Sequence, residues 1–269
     1  MARTIGGDVG GPRRAVEPTM VVASQRVWVP ALRAIHTRTV PSIAMEIVLV
    51  RHGQPEWVKG GLNVVDPPLT NLGHRQAERL ADALEGESFD EILVSPLTRA
   101  RQTAAPLLSR LGRQEVIAPW LEEIRDPGWA GTPVEKAEQA YAELRQRPPA
   151  ERWHGLLDGE SVRSFVDRIH LGVESFLAER GTRRGDDELP VWEMDAPGKR
   201  ILLVAHAGTN TVSIGHMLGL MPTPWEFDRF VLMHASISRL ESMKVGDAHS
   251  FSLVKLSDVE HLSSSERTR

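Results

Sequence analysis

Three apolar segments of strand type each run directly into basic residues, and this repeated arrangement restricts the folds open to the chain. The segments and the basic residues beyond them are Val48–Val50 with Arg51 and His52, Glu91–Val94 with Arg99, and Arg200–Ala205 with His206. Helical patterns alternate with these strands, which predicts a three-layer α/β fold in which a mostly parallel central sheet has helices on both faces. Ligands bind at the carboxyl edge of such a sheet, so the basic side chains are expected to meet there.

Arg51 and His52 suggest the chemistry of that edge. A guanidinium stays charged and offers a planar fork of donors that matches phosphate oxygens. A histidine at the end of a strand is a candidate nucleophile, and its second ring nitrogen is expected to donate to a backbone carbonyl, with Gly53 leaving room for the close approach. A single Arg-His-Gly tripeptide is a weak signal. Arg99 and His206, beyond the other two strands, strengthen it and indicate phosphoryl chemistry.

Further motifs lie in the order expected for a known family. They are Arg51-His52-Gly53, Pro68-Leu69-Thr70 with Gly73 and Gln76-Ala77, Ser95-Pro96-Leu97 with Arg99-Ala100 and Gln102-Thr103, and a late His206. From Glu46 to about Leu256 the chain resembles the histidine phosphatase superfamily, which includes the cofactor-dependent phosphoglycerate mutases. The resemblance implies a phosphoglycerate mutase-like fold.

The resemblance also implies roles for the basic residues. His52 would attack the phosphorus of a monoester and become a phosphohistidine. Arg51 and Arg99 would hold the transferring phosphoryl group, whose charge spreads over its equatorial oxygens. His206 would donate to the same group, together with the backbone N–H of Ala207 at the start of the following helix, where anions bind.

A carboxylic acid is expected near the pocket, because the leaving alkoxide needs a proton. In the phosphatase branch of the family a Glu-Ile pair precedes a tryptophan and a glycine at similar spacing, which maps the acid onto Glu123. Glu122 is the nearest competitor, and the sequence leaves the choice between the two carboxylates open.

Three departures from the family pattern bear on the reaction. Val58 stands where members often carry a substrate-binding asparagine, and Trp129-Ala130-Gly131 replaces the Trp-Glu-Gly of the phosphatase branch. The Glu-Arg-His-Tyr-Gly of the mutase branch is Glu-Ile-Arg-Asp-Pro here, at 123–127. This last departure favours hydrolysis, so we predict a metal-independent phosphomonoesterase that acts on a small phosphorylated metabolite. Two alternatives stay open: a phosphoglycerate mutase-type phosphotransferase, and a catalytically weak regulatory protein that binds phosphate esters.

Composition limits the classes of cofactor and partner that the protein is expected to bind. The chain contains no cysteine, which excludes thiolate metal sites, and its two motif histidines lack the carboxylate-rich surroundings that hard cations prefer, so no metal and no cofactor are expected. Residues 1–44 hold six arginines and two acids within a chain of net charge −4, so the remainder is strongly acidic, which argues against a nucleic-acid partner. No apolar run approaches the roughly 18 residues that span a bilayer, which argues against a membrane partner. We expect a cytoplasmic protein, with a transit-type use of 1–44 and a homodimer both left open.

The chain is expected to comprise three parts. Residues 1–44 are interpreted as an unstructured extension, because Met45 stands directly before the first strand; 45–258 form the domain and 259–269 a flexible tail. The expected elements are strand 46–50, phosphate loop 51–54, an irregular stretch to 68, helix 72–85 capped by Asn71, strand 91–94, helix 97–111, strand 115–118, helices 133–147 and 160–180, strand 200–205, helix 209–219, and a closing hairpin of 237–243 and 251–256. Residues 185–199 resemble an inserted acidic loop at the amino end of a strand.

Four other side chains are expected to lie around the site or in the core, without a role in the reaction. Trp57 and Trp129 are candidates for the pocket mouth, although tryptophans are more often partly buried anchors. His234 is assigned to core packing, and Arg101 is expected to point away from Arg99 on a helix.

Overall fold

The computed structural model describes residues 45–185, 189–195 and 198–269. The strands are β1 (Met45–Arg51), β2 (Val58–Lys59), β3 (Leu62–Asn63), β4 (Glu91–Val94), β5 (Val116–Ile117), β6 (Thr182–Arg184), β7 (Trp192–Met194), β8 (Lys199–Ala205), β9 (Ile237–Val245) and β10 (Ala248–Asp258). The helices are α1 (Asn71–Leu84), α2 (Thr98–Arg110), α3 (Val134–Gln146), α4 (Val162–Ala178), α5 (Ala207–Met217) and α6 (Glu226–Arg229). None of these helices is long and apolar enough to cross a membrane. The expected N-terminal extension, 1–44, lies outside the described residues.

Eight of the strands form one mixed sheet, in the order β5-β4-β8-β1-β9-β10-β7-β6. β5, β4, β8 and β1 run parallel, and the pairing is antiparallel from β1 to β9 onward. β8 pairs with β1 on one side and with β4 on the other, so that Arg51 lies opposite Ala205 and Val94 lies opposite Val204. The carboxyl ends of the three strands that precede basic residues therefore meet at one place.

Helices cover both faces of the sheet, which confirms the predicted three-layer α/β fold. Successive residues of a strand point to opposite faces. Ile47 and Leu49 of β1 belong to the core that includes residues of α4 and α5. Val48 and Val50 belong to the core that includes residues of α1 and α2. Burial on both faces explains why β1 is a continuous apolar run instead of an alternating one.

The starts of α1 and α2 lie near the carboxyl edge of the parallel strands. The N-cap of α1 is Thr70, whose extended backbone (φ −69°, ψ 169°) suits a cap and whose hydroxyl accepts from the N–H of Gly73 at 3.0 Å. The prediction that Asn71 caps this helix is therefore wrong, since Asn71 is its first residue. α2 begins at Thr98, which places Arg99 in the first turn beyond β4.

Two segments contain strands that the sequence did not suggest. The stretch expected to be irregular as far as 68 contains the β2–β3 hairpin. β7 lies within 185–199, where an acidic loop was expected, and pairs with β6 and β10. Trp192 of β7 is 1% exposed, and burial of so large a side chain outweighs the acidic composition around it. Residues 186–188 and 196–197 of that segment lie outside the described residues.

The segment 259–269, expected to be a flexible tail, is hydrogen-bonded to the domain instead. It contains a short 3₁₀ turn at Ser264–Glu266, stabilised by a capping box between Ser263 and Glu266. The backbone N–H of His234 donates to the carbonyl of Thr268 at 3.0 Å. The other expected strands and helices are present, with ends that differ by at most three residues, and α6 is an addition.

Candidate active site

The fold brings the four predicted basic residues into one cluster. Arg51 ends β1 and His52 follows it, His206 follows β8, and Arg99 lies in the first turn of α2. The rings of His52 and His206 have centroids 5.1 Å apart, and Nε of Arg99 lies 3.3 Å from Nε2 of His52. His52, Arg99 and His206 are each no more than 3% exposed, so the cluster is largely removed from water.

The ring of His52 is held in a single orientation. Its Nδ1 donates to the carbonyl of Gly53 at 2.7 Å, as the sequence suggested, which leaves a lone pair on Nε2 facing Arg99. Burial, followed by the charges of His206, Arg99 and Arg51, lowers the pKa of His52 well below its ordinary value. The imidazole is therefore neutral near pH 7, the state in which Nε2 can act as a nucleophile.

The loop that follows His52 is fixed by close packing against α1. A Cβ on Gly73 would lie 2.2 Å from the carbonyl oxygen of Gln54, and one on Gly53 would lie 2.7 Å from the carbonyl oxygen of Gly73. Both positions therefore require glycine. The N–H of Gly53 donates to Oγ1 of Thr103 at 2.9 Å, and the N–H of Gln54 donates to Oε1 of Gln76 at 2.7 Å.

The guanidinium of Arg51 is held by residues that lie just before β9, the antiparallel neighbour of β1. It donates to the carbonyl of Leu232, and its Nη2 lies 3.0 Å from Nε2 of His234. The assignment of His234 to core packing is therefore incomplete: the ring is buried, but it is a hydrogen-bond partner of Arg51 and its centroid lies 5.7 Å from that of His52. Burial and the charge of Arg51 lower the pKa of His234 to about 3, so the ring is neutral and can accept from Arg51. The signal in the sequence was that family members often have another hydrogen-bonding residue, asparagine, at this position.

Arg99 is a buried cation whose ion-pair partner lies beyond hydrogen-bond distance. Its Nη1 has no hydrogen-bond partner in the described part of the chain, and the nearest carboxylate oxygen paired with it, Oδ1 of Asp66, is 3.7 Å away. Burial lowers the pKa of Arg99, while the carboxylates of Glu123, Asp66, Asp126 and Glu122 oppose that shift. An anion beside Nη1 would compensate for the buried charge.

The ring of His206 is oriented by the hydroxyl of Ser95. Oγ of Ser95 accepts from the N–H of Leu97 at 3.4 Å and lies 2.7 Å from Nε2 of His206, to which it can donate. The proton of the neutral ring is then on Nδ1, which is buried and has no partner within the described residues. The N–H of Ala207 occupies the first position of α5, where no partner exists within the helix.

The cluster is consequently a set of donors suited to an anion. Within this cluster, three buried nitrogens lack hydrogen-bond partners among the described residues: Nε of Arg51, Nη1 of Arg99 and Nδ1 of His206. Buried polar groups are nearly always hydrogen-bonded, so unpartnered donors gathered in one place indicate a ligand. A tetrahedral oxyanion beside Nε2 of His52 would supply acceptors for all three.

Glu123 is the carboxylate that the fold brings to this cluster. Its Oε2 accepts from the N–H of Gly208 at 2.9 Å, and its Oε1 accepts from the N–H of Ile124 at 3.0 Å. Burial raises the pKa of Glu123, although these backbone donors and the nearby arginines act in the opposite direction. Glu122 instead pairs with Arg125, at 2.7 Å from its Nη2. Of the two carboxylates left open by the sequence, only Glu123 has its side chain directed to the start of α5.

The remaining predictions concern the surroundings of the cluster. Trp57 is 43% exposed, and Cζ of Arg99 lies 4.8 Å from the centroid of its ring, so Trp57 does border the site. Trp129 is buried and packs edge-on against Tyr141. Arg101 pairs with Glu115 on the exposed side of α2, away from Arg99, as predicted. In the described ranges, no three histidine, aspartate or glutamate side chains are grouped so that they could hold a metal ion.

The segment 259–269 reaches the supports of this cluster through one side chain. Oγ1 of Thr268 accepts from Nε2 of Gln76 at 2.9 Å and lies 2.9 Å from Nδ1 of His234. Gln76 and His234 in turn bind the Gln54 N–H and Arg51, so Thr268 connects two positioning residues. Gln76 belongs to a family motif, but the sequence indicated no role for it in the site.

We expect Thr268→Val to weaken the binding of inorganic phosphate as a competitive inhibitor by about 2- to 12-fold, the change that corresponds to the loss of one hydrogen bond of ordinary strength. Thr268→Ser keeps the hydroxyl and should restore the wild-type inhibition constant. Inhibition assays together with thermal unfolding would distinguish this from a general loss of stability. An unchanged inhibition constant in Thr268→Val would show that Thr268 does not help to position Arg51.

Comparison with known proteins agrees with this geometry. A family model described as the histidine phosphatase superfamily, branch 1, matches residues 47–254. The Yersinia enterocolitica protein named "Probable phosphoglycerate mutase GpmB" is 27% identical over 203 residues, which cover 73% of this chain and 85% of the relative. Phosphoserine phosphatase 1 of Hydrogenobacter thermophilus is 30% identical over 159 residues, which cover 57% of this chain and 72% of the relative.

Solved structures support the same fold. The native structure of a mycobacterial glucosyl-3-phosphoglycerate phosphatase superposes with a TM-score of 0.60 at 24% identity and covers 80% of this chain and 99% of its own. The alpha-ribazole phosphatase of Shigella flexneri superposes with a TM-score of 0.59 at 23% identity and covers 80% of this chain and 96% of its own. The match of the family model over most of the domain, on a fold of this topology, shows that the chain belongs to the histidine phosphatase superfamily.

Proposed function

We propose that the protein is a metal-independent phosphomonoesterase that acts on a small phosphorylated metabolite through a phosphohistidine at His52. The observation that carries the proposal is the fixed tautomer of His52: its Nδ1 is bonded to the carbonyl of Gly53, which leaves Nε2 as a neutral base beside Arg99. The unpartnered nitrogens of Arg51, Arg99 and His206 support binding of the phosphoryl oxygens at the same place.

In the first step, Nε2 of His52 attacks phosphorus and the bond from phosphorus to the ester oxygen breaks. Glu123 donates its proton to the departing oxygen, so the alcohol leaves neutral; its raised pKa favours the protonated form that this step needs. Arg51, Arg99, His206 and the N–H of Ala207 stabilise the charge on the three equatorial oxygens.

In the second step, water attacks the phosphohistidine and the bond from phosphorus to Nε2 breaks. Glu123, now ionised, takes the proton from the water, and inorganic phosphate leaves with His52 returned to its neutral state. The two steps thus use the carboxyl group of Glu123 first as an acid and then as a base. Neither step changes an oxidation state.

The names of the relatives support phosphatase activity and also a second candidate. Proteins named phosphoserine phosphatase, glucosyl-3-phosphoglycerate phosphatase and alpha-ribazole phosphatase are among those similar to this chain. Similarity to "Probable phosphoglycerate mutase GpmB" favours a mutase-type phosphotransferase as the alternative. Two assays would separate the two: a mutase converts 3-phosphoglycerate into its 2-phospho isomer, whereas a phosphatase forms no isomer and releases inorganic phosphate from the phosphomonoesters that it hydrolyses.

We expect hydrolysis of p-nitrophenyl phosphate to persist in EDTA and to be inhibited by vanadate, which takes up the five-coordinate geometry of the transferring phosphorus. A metal-dependent phosphatase assayed in parallel provides the control for chelation. Loss of activity in EDTA would contradict the metal-independent mechanism. Phosphate binding without turnover of a broad panel of phosphomonoesters would instead favour a regulatory protein that binds phosphate esters.

A further inference from the structure

We propose that this site selects phosphomonoesters whose non-phosphate group is neutral or cationic, and that it disfavours esters carrying a second anionic group such as a carboxylate. The inference rests on the proposed function and specifies its substrate class. It follows from the distribution of charges and apolar surface around Arg99.

Carboxylates lie beside the phosphate-binding arginine. Oδ1 of Asp66 is 3.7 Å from Nη1 of Arg99, and the side chain of Asp66 is 41% exposed. The same carboxylate accepts from the N–H of Thr98 at 3.0 Å, which fixes it at the start of α2. Asp66 is therefore held at the edge of the cluster, beside Arg99.

A second carboxylate comes from the loop that carries Glu123. Oδ1 of Asp126 accepts from the hydroxyl of Tyr141 at 2.6 Å, and no cation is paired with it among the described residues. Its charge acts on Arg99, as do those of Asp66 and Glu122. Glu122 differs from Asp126 because its carboxylate forms an ion pair with Arg125.

The cations available to a second anionic group are few. A bound phosphate would be compensated by Arg51 and Arg99, and two further arginines of this region, Arg101 and Arg125, already have carboxylate partners. Lys59 on β2 is exposed, where water and salt screen its charge. The charge of Arg269 lowers the pKa of Arg51. Arg269 follows Thr268, whose hydroxyl contacts His234.

Apolar surface completes the rim. The ring of Trp57 lies beside Arg99 and is 43% exposed, and Val58, next along the chain, is 40% exposed. The exposed indole beside Arg99 suits an aromatic or aliphatic group on the substrate. Val58 stands where family members often carry a substrate-binding asparagine, so that polar side chain is absent from this position.

A matched pair of esters tests the proposal. 3-Carbamoylphenyl phosphate and 3-carboxyphenyl phosphate have nearly the same shape and differ in the charge of one substituent. Two unit charges about 8 Å apart at an effective dielectric constant between about 20 and 80 change an equilibrium by a factor of about 2 to 30. We therefore expect kcat/KM for the carbamoyl ester to exceed that for the carboxyl ester by about tenfold at low ionic strength.

Charge-removing variants identify the carboxylates responsible. Asp66→Asn and Asp126→Asn keep a hydrogen-bond acceptor and should each reduce the preference for the carbamoyl ester, with the largest reduction in the double variant. Asp82→Asn provides the matched control: it removes the same charge about 16 Å further along α1 from the site, as judged from the helical rise, and should leave the preference unchanged.

The outcomes separate this inference from the proposed function. Equal kcat/KM values for the two esters, a preference for the carboxyl ester, or a preference that the double variant leaves intact would each overturn the inference while phosphatase activity stands. If neither these esters nor the broad panel of phosphomonoesters is hydrolysed, the proposed function is wrong. The dissociation constants of the two esters, measured by calorimetry, then still decide whether the site discriminates by charge.

Discussion

His52→Ala is expected to lower kcat for p-nitrophenyl phosphate by at least about 10⁴-fold, because the loss of an attacking group removes the covalent route altogether. Binding of inorganic phosphate should persist, since Arg51, Arg99 and His206 do not depend on the imidazole for their supports from Leu232, α2 and Ser95. Steady-state kinetics and phosphate titration by calorimetry would check the two halves of this expectation.

A matched histidine variant provides the control. His249 lies at the start of β10, beside the turn that joins it to β9, and therefore at the edge of the sheet opposite His52. His249→Ala should leave kcat unchanged. A His52→Ala protein that folds normally and retains more than about one hundredth of the wild-type kcat would contradict the role of His52 as nucleophile.

Glu123→Gln is expected to lower kcat for alkyl phosphates by about 10² to 10⁴-fold, the usual contribution of a general acid. The loss for p-nitrophenyl phosphate should be much smaller in the first step, because p-nitrophenolate leaves without a proton. Rates as a function of leaving group, measured for single turnovers, would show the difference as a steeper dependence on leaving-group basicity in the variant.

The pH profile gives a second sign of the same role. Burial raises the pKa of Glu123, and the acid acts in its protonated form, so the single-turnover rate should fall as pH rises through that pKa. Glutamine cannot lose a proton, so this fall should be absent in Glu123→Gln. Glu122→Gln is the neighbouring control and should keep both the rate and the profile, because Glu122 pairs with Arg125. Equal losses for alkyl and p-nitrophenyl esters in Glu123→Gln would remove the case for general acid catalysis.

The basic cluster could be predicted from the sequence because strand ends determine it. Arg51, His52 and His206 each follow an apolar strand, and adjacent parallel strands bring their carboxyl ends together. Arg99 needed one further element, the start of α2 directly beyond β4. In all these cases the position along the chain nearly fixes the position in space.

The supports of the cluster could not be predicted in the same way. Gln76 and Thr103 belong to the family motifs, but they lie on buried faces of helices, and a single sequence does not show which backbone groups they bind. The contact of Thr268 with Gln76 joins residues 192 positions apart, and neither periodicity nor composition reports such a pairing. His234 was similarly assigned to packing because its partner, Arg51, is 183 positions away.

Glu123 lies between these two cases. A family resemblance located the acid within two adjacent residues, but the choice between them depends on which carboxylate faces the start of α5. The N–H of Gly208 makes that choice by donating to Glu123 at 2.9 Å. The two carboxylates near Arg99, those of Asp66 and Asp126, likewise could not be grouped from the sequence, because they are 60 residues apart. The fold brings them close enough for the charges of both to act on Arg99.

Trapping of the phosphorylated enzyme tests the central claim most directly. The protein is mixed with a phosphomonoester, quenched with alkali after milliseconds because phosphohistidine survives base and is destroyed by acid, and analysed by peptide mass spectrometry. We predict a phosphoryl group on the peptide that contains His52, formed within one turnover, lost on brief exposure to acid and absent from His52→Ala. Steady turnover with no phosphoenzyme at any quench time, or a phosphoryl group attached to another residue, would contradict the account.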